Sequence, residues 1–192
     1  TPSDEDPLGG PYTQDTGSVE VTFTTGSNYG VETTFEDDPQ ILTGIDSGSE
    51  PTNPNSALAS EVDEREGASY MLSFSEPVED VQFRINDIDN DSAVKVYAYD
   101  AEGNRIEVNL TGSDTTNLNI LDIDGAPGNE AALSGGGDGA SDDADNSVLV
   151  NIPGPVHSIE IVHLNLGTEA SEITMSDVFF TNPAPVVAED AD

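Results

Sequence analysis

Val19, Val21 and Phe23 alternate with Glu20, Thr22 and Thr24, and the same period of two returns along most of the chain. Tyr70, Leu72 and Phe74 alternate with Met71 and Ser73, and Val81, Phe83 and Ile85 with Gln82 and Arg84. Further extended segments are expected at 93–100, 105–111, 117–121, 147–152, 156–164 and 172–180, separated by turn formers such as Glu76-Pro77 and Glu102-Gly103-Asn104. No stretch carries helical spacing. Eight or more short strands without a helix predict an all-β fold, an antiparallel β-sandwich of jelly-roll type.

The ends of the chain break the pattern. Residues 1–16 are turn formers and acids without a period and read as a leader or linker. Residues 183–192 open with two prolines and close with acids, and read as a C-terminal linker. The sandwich is therefore expected over 17–182. Within it, 36–67 carries Pro39, Pro51 and Pro54 among many Ser, Gly and Asp, and reads as a long loop crossing one edge. Thr1 stands at the start without a signal sequence, so a processed chain or a piece of a longer one is expected.

Charge narrows the function. The 192 residues include 39 acids against four bases, a formal net charge of −35. Such a surface repels phosphate backbones and anionic lipid, which argues against nucleic acid and membrane surfaces as partners. It attracts cations, and its self-repulsion calls for high salt, bound divalent ions or both. No segment reaches the ~20 apolar residues of a membrane-spanning helix. The absence of Cys decides nothing by itself.

Some acids have the parity of the core. Continuing the phase of Val81, Phe83 and Ile85 reaches Asp87 and Asp89, and Asp177 shares the phase of Ile173, Met175 and Phe179. A buried, unpaired carboxylate costs several kcal/mol, and Arg65, Arg84, Lys95 and Arg105 are too few to serve them all. Metal or backbone N–H groups are the remaining partners. Asp87, Asp89 and Asp91 offer oxygen at alternate positions, and Asp122 and Asp124 do so in a second loop followed by Pro127, Gly128, Asn129 and Glu130. Hard oxygen donors on loops suit Ca²⁺. The EF-hand pattern fails, with Ser92 at its sixth position and Ala98 at its twelfth. The glycine-rich run 135–139 fails as a calcium β-roll repeat because it occurs once. Asp87, Asp89, Asp91, Asp122, Asp124 and Asp177 are the expected metal ligands, against ordinary Asp-rich turns and backbone caps as the alternative. Asp142, Asp143 and Asp145 read as a solvated loop.

Catalysis is not expected. His157 and His163 lie about 20 Å apart along one strand, so they cannot share a metal, and they read as satisfied polar positions at strand ends. No Ser-His-Asp or Cys-His constellation is visible, and no carboxylate pair stands out as a glycosidase acid and base.

The blocks FSEPVEDVQFRINDID (74–89), VKVYAYDAEGNRIEV (94–108), DIDGAPGNEA (122–131), VLVNIPGPVHSIEIVH (148–163) and ITMSDVFF (173–180) resemble a β-sandwich module of large secreted calcium-binding proteins of marine bacteria, including haemolysin-type repeat proteins and adhesins. The resemblance covers roughly 70–180. It implies a secreted or cell-surface module with a structural or adhesive role, Ca²⁺ as its cofactor, and neighbouring modules or self-assembly as partners. The matching acids are Asp87, Asp89, Asp122, Asp124 and Asp177. A carbohydrate-binding module of a secreted polysaccharide-active protein is the alternative. Its platform would be Tyr97 and Tyr99, which share one face of a strand, with burial against the second sheet as the competing reading. A third reading makes the acidity a matter of solvation in salt alone.

Overall fold

The computed structural model describes residues 3–26, 31–137 and 139–182. Its strands are β1 (Tyr12–Asp15), β2 (Glu20–Thr25), β3 (Val31–Glu36), β4 (Ala57–Val62), β5 (Gly67–Asn86), β6 (Ser92–Tyr99), β7 (Arg105–Ile106) and β8 (Val108–Thr111). They continue as β9 (Leu118–Leu121), β10 (Gly128–Asn129), β11 (Ala131–Ser134), β12 (Val148–Ile152), β13 (Val156–Asn165), β14 (Ser171–Ser176) and β15 (Phe179–Thr181). A single turn of 3₁₀ helix, Ala144–Asn146, is the one helical element among the described residues. The architecture is a β-sandwich, as the alternation predicts.

Sheet I runs β1-β2-β5-β13-β6-β11-β9, with β7 also on β6. Sheet II runs β10-β8-β12-β5, then β14 and β15 on the other side of β5, then β4 and β3. All pairings are antiparallel except the short one between β10 and β8.

β5 belongs to both sheets. The sequence reads as two strands split at Glu76-Pro77, but the chain bends there without reversing. In the first half Ala68, Tyr70, Leu72 and Phe74 are buried, and in the second Val81, Phe83 and Ile85. The inward parity changes from even to odd through Asp80, whose φ of 51° is left-handed. One strand thereby supplies the inner face of two layers.

Two further departures concern 1–16 and 36–67. Residues 5–8 bond to the edge of β3 (Glu5 N–H to Phe35 O, 2.8 Å; Leu8 N–H to Thr33 O, 2.8 Å), and β1 then pairs with β2. The supposed leader thus straps the margins of both sheets together. β4 lies inside the supposed loop and is an internal strand of sheet II. Its Ala57, Ala59 and Ser60 are buried, and these small residues carry little strand propensity, which hides it from sequence. The true loop, 37–56, lies across the outer face of sheet II rather than over an edge. There Gln40 accepts from Asn86 Nδ2 (3.0 Å), the Thr43 carbonyl accepts from Arg84, and Asp46 N–H donates to Gln82 (2.7 Å). Residues 183–192 lie outside the described residues.

Candidate functional site

The extended phase that would carry Asp87 and Asp89 inward stops at Asn86. Asp87, Asn90 and Asp91 all have positive φ (61°, 43° and 68°), so residues 87–91 form a tight turn. The residue that reaches the core is Ile88, fully buried. Asp89 is also buried, and its Oδ2 accepts from the Gly139 N–H at 2.8 Å. Asp91 is exposed. Asp89 thus accepts from a backbone amide, and among the described residues Asp87, Asp89 and Asp91 form no three-carboxylate cluster.

Asp177 corrects the sequence reading too. β14 ends at Ser176, and the break before β15 turns Asp177 to the surface. Val178 and Phe180 pack on the core in place of Phe179, and Phe180 meets Phe74 edge-on at 5.3 Å. The Asp177 carboxylate accepts from Ser56 Oγ at 3.0 Å, and partial burial pushes its pKa up.

Asp122 and Asp124 do come together. With Glu130 they place carboxylate oxygens within 4.8 Å of one another. Glu130 is buried and starts the return from β10 to β11. Its Oε1 accepts from the N–H groups of Ile123 (2.5 Å) and Asp124 (3.0 Å). Asp122 accepts from Gly125 N–H at 2.8 Å. The Ala126 N–H, with Arg105 behind it, holds the Asp124 carboxyl below the usual range. Arg105 Nη1 lies 2.5 Å from Asp124 Oδ2. Three carboxylates and one guanidinium leave two negative charges, the charge of one divalent cation. These hard donors fit Ca²⁺ in kind, with Arg105 and backbone amides already meeting part of the demand. Sequence reasoning noted Glu130 only as a residue following the Asp pair; its burial is decided by the fold.

Tyr97 and Tyr99 face outward from sheet I and are half-buried, so burial against the second sheet is excluded. The Arg105 guanidinium lies 4.1 Å from the centre of the Tyr97 ring, and Tyr99 donates to Glu160 Oε2 at 3.1 Å. Burial, and then the Glu160 carboxylate, raise the Tyr99 pKa. This outer face joins two aromatic rings to charged groups beside the Asp122–Glu130 loop.

His163 is not at a strand end. It is fully buried between the sheets, with Ser60 Oγ 3.0 Å from Nδ1 and Ser171 Oγ 3.1 Å from Nε2. Asp143 and Asp145 hold local structure. Asp143 caps the 3₁₀ turn, and Asp145 accepts from Ser113 and Thr115.

One feature escaped the sequence entirely. A cleft of about 440 Å³ opens between the sheets beside the N-terminal strap. Phe23, Leu72, Phe83, Ile161 and Met175, all buried, give it an apolar interior. Asp4, Glu36, Asp37 and Asp177 line it as well, and no Lys, Arg or His does among the described residues. Asp4 falls in the expected leader and Glu36 and Asp37 at the start of the expected loop, where nothing in their local pattern joins them.

No family model matches the chain, and no curated protein does; the resemblance to haemolysin-type repeat proteins and adhesins gains no support there. Among solved structures, the chain is similar to the enzymatically active domain of tailspike protein 4 of bacteriophage CBA120, at 12% identity and a TM-score of 0.44. That match covers 84% of this chain and 19% of the other, so the chain spans about a fifth of the tailspike's length. It is similar to the K1 cleaved adhesin domain of Lys-gingipain from Porphyromonas gingivalis W83, at 14% identity and a TM-score of 0.40, covering 90% and 94% of the two chains. A carbohydrate-binding module that recognises mannan matches at 14% identity and a TM-score of 0.37, over 84% and 89%. At these values the likeness is distant.

Proposed function

We propose that this chain is a secreted or cell-surface binding module, stabilised by Ca²⁺, that acts in adhesion or matrix assembly and not in catalysis. The observation that carries the reading is the convergence of Asp122, Asp124 and Glu130, with a buried member and a residual charge of two. Charge in the rest of the molecule supports it. Two ion pairs are present among the described residues, Arg105–Asp124 and the exposed Arg65–Glu64 pair, so most of the acids must find their counter-charge in solution. An ion bound only by the folded state stabilises it by mass action, about 2.7 kcal/mol at a hundredfold excess over Kd.

Thermal unfolding in CaCl₂, in chelator and in NaCl of matched ionic strength tests this. A rise in Tm specific to Ca²⁺, reduced in Asp122→Asn and Glu130→Gln, is expected. Equal responses to the two salts would leave acidity as solvation and end the calcium reading.

A second reading, polysaccharide binding, is favoured by the outward, half-buried placement of Tyr97 and Tyr99 beside Arg105 and Glu160. Rings in this position can stack on sugar C–H faces while the charged groups accept and donate hydrogen bonds. Retention on a polysaccharide panel that disappears in Tyr97→Ala and Tyr99→Ala would bear it out; no retention across the panel would remove it.

A further inference from the structure

We propose that the cleft between the sheets binds an amphipathic organic cation: an apolar chain or ring system carrying a single ammonium group. The volume of about 440 Å³ falls in the range of small-molecule sites and suits a ligand of roughly 12 to 20 non-hydrogen atoms. Its inner wall is an edge of the sandwich core, since the buried Phe23, Leu72, Phe83 and Met175 all line it. Such a surface gains by covering with hydrocarbon.

The charge at the mouth selects among apolar ligands. Carboxylate oxygens of Asp4, Glu36 and Asp37 lie within 4.8 Å of one another, and Asp177 adds a fourth acid to the lining. With no basic side chain there, a fatty acid would be repelled and an amine attracted. Tyr12 and Phe35, in edge contact at 5.5 Å, also line the cleft and offer ring faces of the kind that receive alkylammonium groups. The Glu36 carboxyl is pushed up by burial, and then by Asp4 and Asp38, a condition that a bound cation would relieve. This site is separate from the Asp122–Glu130 loop, and its test does not depend on Ca²⁺.

Isothermal titration of the full chain with octyltrimethylammonium, octanol and octanoate, below their micellar ranges and at physiological ionic strength, separates the terms. The expected result is saturable one-to-one binding of the cation, at least about tenfold tighter than octanol, with none for octanoate. The variant carrying Asp4→Asn, Glu36→Gln and Asp37→Asn should lose that preference. Val178→Trp, which fills the cleft from its wall, should abolish binding. A control carrying Glu50→Gln, Glu102→Gln and Asp114→Asn removes the same charge at exposed positions elsewhere and should bind as the wild type does. Equal loss in the control would show attraction to net charge alone and overturn the proposal. So would equal affinity for octanol or octanoate, or the absence of saturation.

Discussion

His163 sits in a chain of hydrogen bonds that stitches the sheets together. Tyr70 donates to Ser60, Ser60 meets His163, His163 meets Ser171, and Ser171 meets Ser92. Burial lowers the His163 pKa from 6.5 to about 4, so the folded state holds a neutral ring. The unfolded chain takes up the proton first as pH falls. Stability from this group is therefore complete above about pH 6.5 and is lost on the way down to about pH 4, by roughly 3 kcal/mol in all. Chemical denaturation of wild type and His163→Asn across that range checks it: the gap between them should shrink with acid. Half-buried carboxyls such as Glu172, raised by burial and then by Glu36 and Glu61, have the opposite sign, so the comparison with the variant isolates the histidine. Gly128 is a second position where one atom decides. Its φ is 116°, and a Cβ there would stand 2.0 Å from the Val108 carbonyl oxygen, where β10 meets β8. Gly128→Ala should cost about 2 kcal/mol or more and loosen the neighbouring Glu130, measurable as a lower urea midpoint and a weaker Ca²⁺ response.

Strands were legible where alternation of large residues is strong, as in β2, β6, β12 and β13, because period two with branched and aromatic side chains has few other solutions. They were hidden where the inward side chains are small, as in β4, or where a strand changes its inward parity, as in β5. The candidate site was legible for Asp122 and Asp124, close in sequence and on one loop. The inward direction was misread for Asp177, because phase can be extended only while the backbone stays extended and β14 ends before reaching it. Asp89 and one Asp87 oxygen are buried, but through the turn at 87–91 and not by strand phase. Loop 37–56 shows what an outward polar position can do. Arg84 points away from the core, yet the loop covers it, and its guanidinium donates to Ser147 and the Thr43 carbonyl. Burial lowers its pKa. Arg84→Ala should release the loop, so limited proteolysis within 37–56 should quicken by more than global unfolding accounts for.

Across the molecule, a net charge of −35 works against compactness, and the fold holds by placing most carboxylates at the surface around a largely apolar interior whose polar groups are hydrogen-bonded. Stability should therefore rise steeply with any salt, through screening. An increment from Ca²⁺ beyond that from NaCl is what the proposed site at the Asp122–Glu130 loop predicts. Differential scanning calorimetry over a salt series, with and without Ca²⁺, separates the two. A curve that is flat in NaCl would contradict the screening argument.

Composition and periodicity alone determined the fold class and the charge, since each depends on residue type or on local spacing. They also placed two of the three acids that converge near Arg105. Only the tertiary structure decided that β5 serves both sheets, that the first residues strap the margins, and that a cleft stays open between the layers. It also decided which acids meet. Those outcomes join residues such as Asp4 with Glu36, or Ser60 with His163, that stand far apart along the chain, and local pattern holds no record of a distance that folding alone creates.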